Sequence, residues 1–178
     1  MKVKFTQALG LSVLFFLNAS VADDNGLANS IVQHKLSLAT ALQAAQVSVT
    51  TCRKQNLNIS AAVVDSSGLL QVLLKDTNAS PVSVSLSQSK AFTAANFLKD
   101  TTQLADLSDT AVGRSKGILM SAGGVLIKVD DVVYGAIGVS GAATGAKDDE
   151  CARAGFTAIA ESLAKPVAEK SKETEEAK

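Results

Sequence analysis

The side chains able to ligate a transition metal are few: His34 is the only histidine, and one tyrosine, two cysteines and two methionines complete the set. His34 stands just ahead of the first predicted helix. From there it could reach a groove or a neighbouring subunit as a metal ligand, or be an exposed histidine in a lead-in. Met120 and Tyr134 read as sheet packing. Lys90 lies on an apolar helical stripe with Leu86, Thr93 and Phe97, where it either pairs a ligand's carboxylate or snorkels to water. Ser140-Gly141 opens a loop leading to a helix start, a place where backbone N–H groups can hold an anion. Asp148, Asp149 and Glu150 occupy that same positive end and read as capping residues instead. Asp130-Asp131 falls in a turn. No nucleophile elbow occurs, and no Ser-His-acid set forms without His34, so an enzymatic reading has little support.

The elements that must position these residues follow from periodicity. The stretch 118–141 dominates: two apolar runs, 124–129 and 132–139, flank the acidic pair as a β-hairpin. The second run is apolar at nearly every position, as in a strand covered on both faces. Residues 36–54 form an amphipathic helix with Leu38, Ala41, Leu42, Ala45, Val49 and Cys52 in register, and Ser37 or Thr40 as its cap. Residues 59–65 and 69–75 make a second hairpin around Ser66-Ser67-Gly68. Pro81 opens a helix over 83–99, with Val84, Ala91, Ala94, Ala95 and Leu98 toward the sheet. A polar connection, 100–116, is of the kind that covers sites. A fifth strand could come from 117–120. The last helix spans 147–163 with Ala152, Gly155, Phe156, Ile159 and Leu163 inward. Hairpins alternating with helices give an α+β domain.

The ends read differently. Residues 1–22 resemble a secretory signal peptide: Lys2 and Lys4, a short apolar core, then small residues at Ser20-Val21-Ala22. Residues 23–35 are a polar lead-in, 36–164 the domain, and 165–178 a charged tail with nothing to bury. Export to the periplasm or the medium is expected, with no membrane span once the leader is removed. In an oxidising compartment Cys52 and Cys151 are a candidate disulfide, the other reading being two small buried thiols. The loop such a bridge closes is worth about 4–5 kcal/mol in the chain-entropy model. The 17 basic and 17 acidic residues balance, which gives no electrostatic reason to expect nucleic acid.

Several stretches together resemble the GlcG/HbpS-type heme-binding proteins. Ala62-Val63-Val64-Asp65-Ser66-Ser67-Gly68-Leu69 is similar to their VAVVDxxGxL signature, and Ser89-Lys90-Ala91-Phe92-Thr93-Ala94 to their KAxTA helix. Gly135-Ala136-Ile137-Gly138-Val139-Ser140-Gly141-Ala142, then Asp149-Glu150-Cys151-Ala152-Arg153-Ala154-Gly155, is similar to their GAIGVSGA…DExCAxAG end. The resemblance implies a profilin-like (GlcG-like) five-stranded antiparallel sheet with helices on both faces. It also implies dimer-based homo-oligomers and binding of heme or a related tetrapyrrole. Exported members carry cysteines at comparable places, which supports the bridge.

Against that family the chain departs at three places on the expected ligand rim: Lys75-Asp76-Thr77-Asn78-Ala79, Pro81-Val82-Ser83 and Gly123-Gly124-Val125-Leu126. With no CxxCH, heme attachment would be non-covalent. The residues expected to serve it are His34 as axial ligand, Lys90 toward a propionate, and Ser140 and Gly141 at the rim. The competing readings are an interaction module on the same scaffold and a heme-degrading enzyme.

Overall fold

The computed structural model describes residues 32–164; the expected leader, most of the lead-in and the charged tail lie outside them. The chain runs α1 (Leu38–Arg53), β1 (Ser60–Asp65), β2 (Leu70–Lys75), α2 (Val82–Phe97), a 3₁₀ helix (Thr101–Leu107), β3 (Gly124–Val129), β4 (Val132–Ser140) and α3 (Gly145–Ala164). The strands form one antiparallel sheet in the order β2-β1-β4-β3. Helices α1 and α3 pack on one face over Ala61, Val63, Val125, Ile127, Ile137 and Val139. On the other face α2 packs over Ala62, Val64 and Ala136. The central strands are therefore covered twice, which is why β1 is buried throughout and β4 from Gly135 onward.

The described sheet has four strands, not the expected five. The stretch 117–120 does not join it, because its amides are bonded elsewhere. Ile118 N–H donates to the Ser115 carbonyl, and Leu119 N–H to Thr93 Oγ1 on α2. The outer edge of β3 is met instead by the start of the 3₁₀ segment. Gly124 N–H donates to Thr101 Oγ1 and Leu126 N–H to the Asp100 carboxylate, at 2.9 and 2.8 Å. Side chains thus satisfy edge amides that a fifth strand would have taken.

Small residues set the spacing of the layers. The buried face of α1 is Ala41, Ala44, Ala45, Ser48, Val49 and Cys52, while Leu38 and Leu42, expected inside, stay exposed. The reason lies on α3. At Gly155 a Cβ would run into the Ala44 carbonyl and the Ser48 hydroxyl, so α1 and α3 approach too closely for leucines between them. Gly138 does the same for α2, where an added Cβ would meet Ser87 and Ala91. Leu98, also expected inside, is instead the exposed left-handed cap of α2. Ser37 caps α1 by accepting from Thr40 N–H.

Two side-chain links lock this arrangement. Cys52 on α1 and Cys151 on α3 are bonded, with Cα atoms 5.7 Å apart and both residues fully buried. Lys90 on α2 is the second link. Its ammonium lies 2.8 Å from Asp148 Oδ2 at the start of α3 and 3.0 Å from the Val139 carbonyl on β4. The side chains of this pair are 4% and 6% exposed. Asp148 also accepts from Ala142 N–H, which pins the β4–α3 loop. Burial pushes the Asp148 carboxyl above the usual carboxylate range, while the bonds from Lys90 and Ala142 pull it back.

Reducing the Cys52–Cys151 bond is expected to lower unfolding free energy by about 2–5 kcal/mol. Urea melts with and without reductant measure this, and an unchanged midpoint would refute it. Lys90→Met leaves Asp148 buried without its cation and is expected to cost about 3–5 kcal/mol. In the double variant Lys90→Met/Asp148→Leu much of that loss returns, as a double-mutant cycle would show.

Candidate functional site

The residues expected to share one site fall at opposite ends of β4. His34 makes an edge-on ring contact with Tyr134 near the start of that strand, with centroids 5.8 Å apart. Its neighbour Gln33 donates to Ser66 and Ser67 in the β1–β2 turn. Lys90, Ser140 and Gly141 gather at the other end. Six residue steps of extended chain lead from Tyr134 to Ser140, roughly 20 Å. One ligand of ordinary size does not touch both groups.

Each member of the second group has a structural role. The Lys90 ammonium, read as a partner for a ligand's carboxylate, is held by Asp148 and Val139. Gly123 makes room for it: a Cβ there would lie 3.0 Å from Lys90 Nζ and 2.7 Å from the Val139 carbonyl. Ser140 is buried and pairs with Ser60 across the sheet. Gly141 has φ +124°, and a Cβ on it would meet the Asn58 carbonyl at 2.8 Å. The nearby Ala142 N–H, a donor an anion would need, already serves Asp148. Asp149 pairs with Arg153, and Glu150 with Lys147 and Gln55.

An open recess of about 270 Å³ lies elsewhere, on the α2 face beside the β1–β2 turn. Its apolar wall is Val64, Leu70 and Phe92. Gln88 and Ser89, one turn earlier on α2, add polar groups, and Lys116-Gly117 from the long connection closes one side. The turn that supports it is built locally. Asp65 Oδ1 accepts from Ser67 and Leu69 N–H, and Gly68 sits at φ +82°. A Cβ on Gly68 would strike Phe92 at 2.9 Å, so the ring lies directly against that glycine. Leu70 remains 49% exposed and Phe92 37%, so this wall presents apolar surface to water. The Lys116 ammonium makes no ion pair or hydrogen bond among the described residues.

A second recess, about 430 Å³, lies between α1 and β2 around Arg53, Lys75 and Asp76. Its charges are internally matched. Arg53 binds Asp76 through both carboxylate oxygens at 2.8 and 3.0 Å, and that hydrogen bonding holds the Asp76 carboxyl below the usual range. Lys75 donates to the Asp76 and Thr77 carbonyls. No group of three or more His, Cys, Asp or Glu side chains among the described residues is placed to hold a metal ion. No described helix is long and apolar enough to cross a membrane.

The α2 recess was visible in pieces only. Gly68 marks a turn, Phe92 lies within the KAxTA-like helix, and the long polar connection ends at Lys116, but nothing in their spacing joins them.

Comparison with known proteins agrees with this architecture. A family model described as "Haem degrading protein HbpS-like" matches residues 36–157. The crystal structure of HbpS is 32% identical, covers 74% of this chain and 94% of its own, and superposes with a TM-score of 0.70. A double mutant of Streptomyces reticuli HbpS is 28% identical, covers 86% of this chain and 99% of its own, and also has a TM-score of 0.70. A PduOC–heme complex, 23% identical, covers 70% of this chain and 95% of its own with a TM-score of 0.65, a likeness of fold. The search of curated proteins finds no match. The chain belongs to the HbpS-like family.

Proposed function

We propose that this protein is an exported, non-covalent binder of heme or a related tetrapyrrole, and that the α2 recess is its site. The observation that carries the proposal is the pairing of exposed apolar walls, Leu70 and Phe92, with the cation of Lys116, unpaired among the described residues. A tetrapyrrole is a flat apolar ring with anionic propionates, so it needs an apolar face beside a positive charge. The recess offers both. Its volume lies just under the usual range for small-molecule clefts, about 300–1,000 Å³, so the macrocycle rests in it with one edge outside. The HbpS-like family and the heme complex formed by PduOC support the ligand class.

In this reading Phe92, Leu70 and Val64 shield one ring face from water, Lys116 orients a propionate, and Gln88 and Ser89 offer hydrogen bonds at the rim. Gly68 lets the Phe92 ring approach the turn closely. Heme when bound would supply redox-active iron, and the description of the family model favours degradation as the second reading. Dimer-based assembly belongs to the same proposal, with the protruding edge of the ring available to a second copy.

Titrating hemin into the folded protein is expected to give a saturable Soret shift at micromolar concentration. Phe92→Glu and Lys116→Glu should each weaken binding about tenfold or more with the thermal midpoint little changed. His34→Ala should leave it within about twofold. No saturable shift would sink the proposal. Bleaching of the Soret band by peroxide, faster than for free hemin and with a defined product, would promote the degrading enzyme over the binder.

A further inference from the structure

We infer that the α2 recess recognises the macrocycle and its carboxylates but not the metal, so that a metal-free tetrapyrrole dicarboxylate occupies it about as tightly as hemin does. This rests on the ligand class and site proposed above and deepens that reading by naming what the site cannot sense.

The argument is a census of possible axial ligands. Protein-bound heme iron is ordinarily held by His, Cys, Met or Tyr. The chain has one His, one Tyr, two Cys and two Met, and every one but Met1 lies among the described residues. Cys52 and Cys151 are bonded to each other and fully buried, so neither is a thiolate. Met120 is 5% exposed and is not part of the recess wall. Tyr134 packs on the cluster beneath α1 and α3, the face of the sheet opposite α2, and His34 sits against its ring. None of these groups lines the recess of its own chain. What does line it is a hydrocarbon wall, a hydroxyl, an amide and an ammonium. An ammonium has three donors and no lone pair for iron, so Lys116 acts as a cation toward carboxylate.

Without a coordinate bond, binding free energy comes from ring burial and the charge contact. The ring and its propionates, which supply both, are shared by porphyrins with and without iron. The geometry therefore makes the propionates, not the metal, the polar feature that the site discriminates.

The test compares three probes on the intact folded protein: hemin, protoporphyrin IX and protoporphyrin IX dimethyl ester. Hemin is followed by its Soret band and the porphyrins by fluorescence. Hemin and protoporphyrin IX are expected to bind within about threefold of each other, both weakened at least tenfold by Lys116→Glu. The dimethyl ester, which keeps the ring and loses both charges, should bind at least fivefold more weakly than the free acid. The ferric spectrum of bound hemin should be unchanged by His34→Ala and by Met120→Leu. Hemin binding more than tenfold tighter than protoporphyrin IX, or a spectrum altered by either substitution, would overturn the inference while leaving heme binding in place. If no probe binds, the proposed function falls and the inference falls with it.

Discussion

A single ammonium group holds the three layers of this molecule in register. Lys90 leaves α2, passes the vacant side-chain position of Gly123, and reaches Asp148 on α3 and the backbone of β4. A buried charge is expensive to desolvate, and this one persists because an anion and a carbonyl meet it inside the protein. The same carboxylate fastens the loop after β4 through Ala142. Strand end, loop and two helices on opposite faces thus converge on one ion pair. Such a contact tolerates little variation in the distance between layers, and the glycines and alanines around it keep that distance short.

The close spacing has a consequence for where a ligand can go. At Gly138, Gly141 and Gly155 backbone lies so near its neighbours that even a methyl group would collide. The disulfide adds a covalent tie between α1 and α3 on the face already packed this way. Room is left between α1 and β2, and at the turn between β1 and β2. There the outer side of α2 carries Phe92, and the long connection returns with Lys116. The charges of Lys90 and Arg53 are internally matched, while the Lys116 ammonium has no partner among the described residues.

The edge of the sheet shows the same economy of local partners. Asp100 and Thr101 present side-chain oxygens to β3 amides, and Arg153 on α3 holds Asp100 and Asp149 at 2.9 and 2.7 Å. An edge satisfied by side chains offers few amides to a pairing strand. The long polar connection that follows is thereby fastened at its start and carries Lys116 to the recess at its far end.

Local chemistry alone accounts for much of this fold. Alternation and β-branched runs define the two hairpins, helical spacing defines three helices, and Ser37, Pro81 and Gly68 punctuate them within a residue or two of where they act. These features act over a few residues, so they can be read without knowing what lies across the sheet. Long-range partnership is another matter. Lys90 looks like a ligand-facing cation until Asp148, 58 residues away, is placed beside it. Leu38 and Leu42 look like core until Gly155 brings α3 too near to admit them. The stretch 117–120 looks like a strand until Thr93 and Thr101 compete for the amides involved. The recess joins residues 64 to 117, from two strands, the turn between them, a helix and a connection, and no periodicity marks a surface shared by five segments. Residues acting on near neighbours carry their meaning in the chain; those whose partners arrive from another layer acquire theirs only when the layers close.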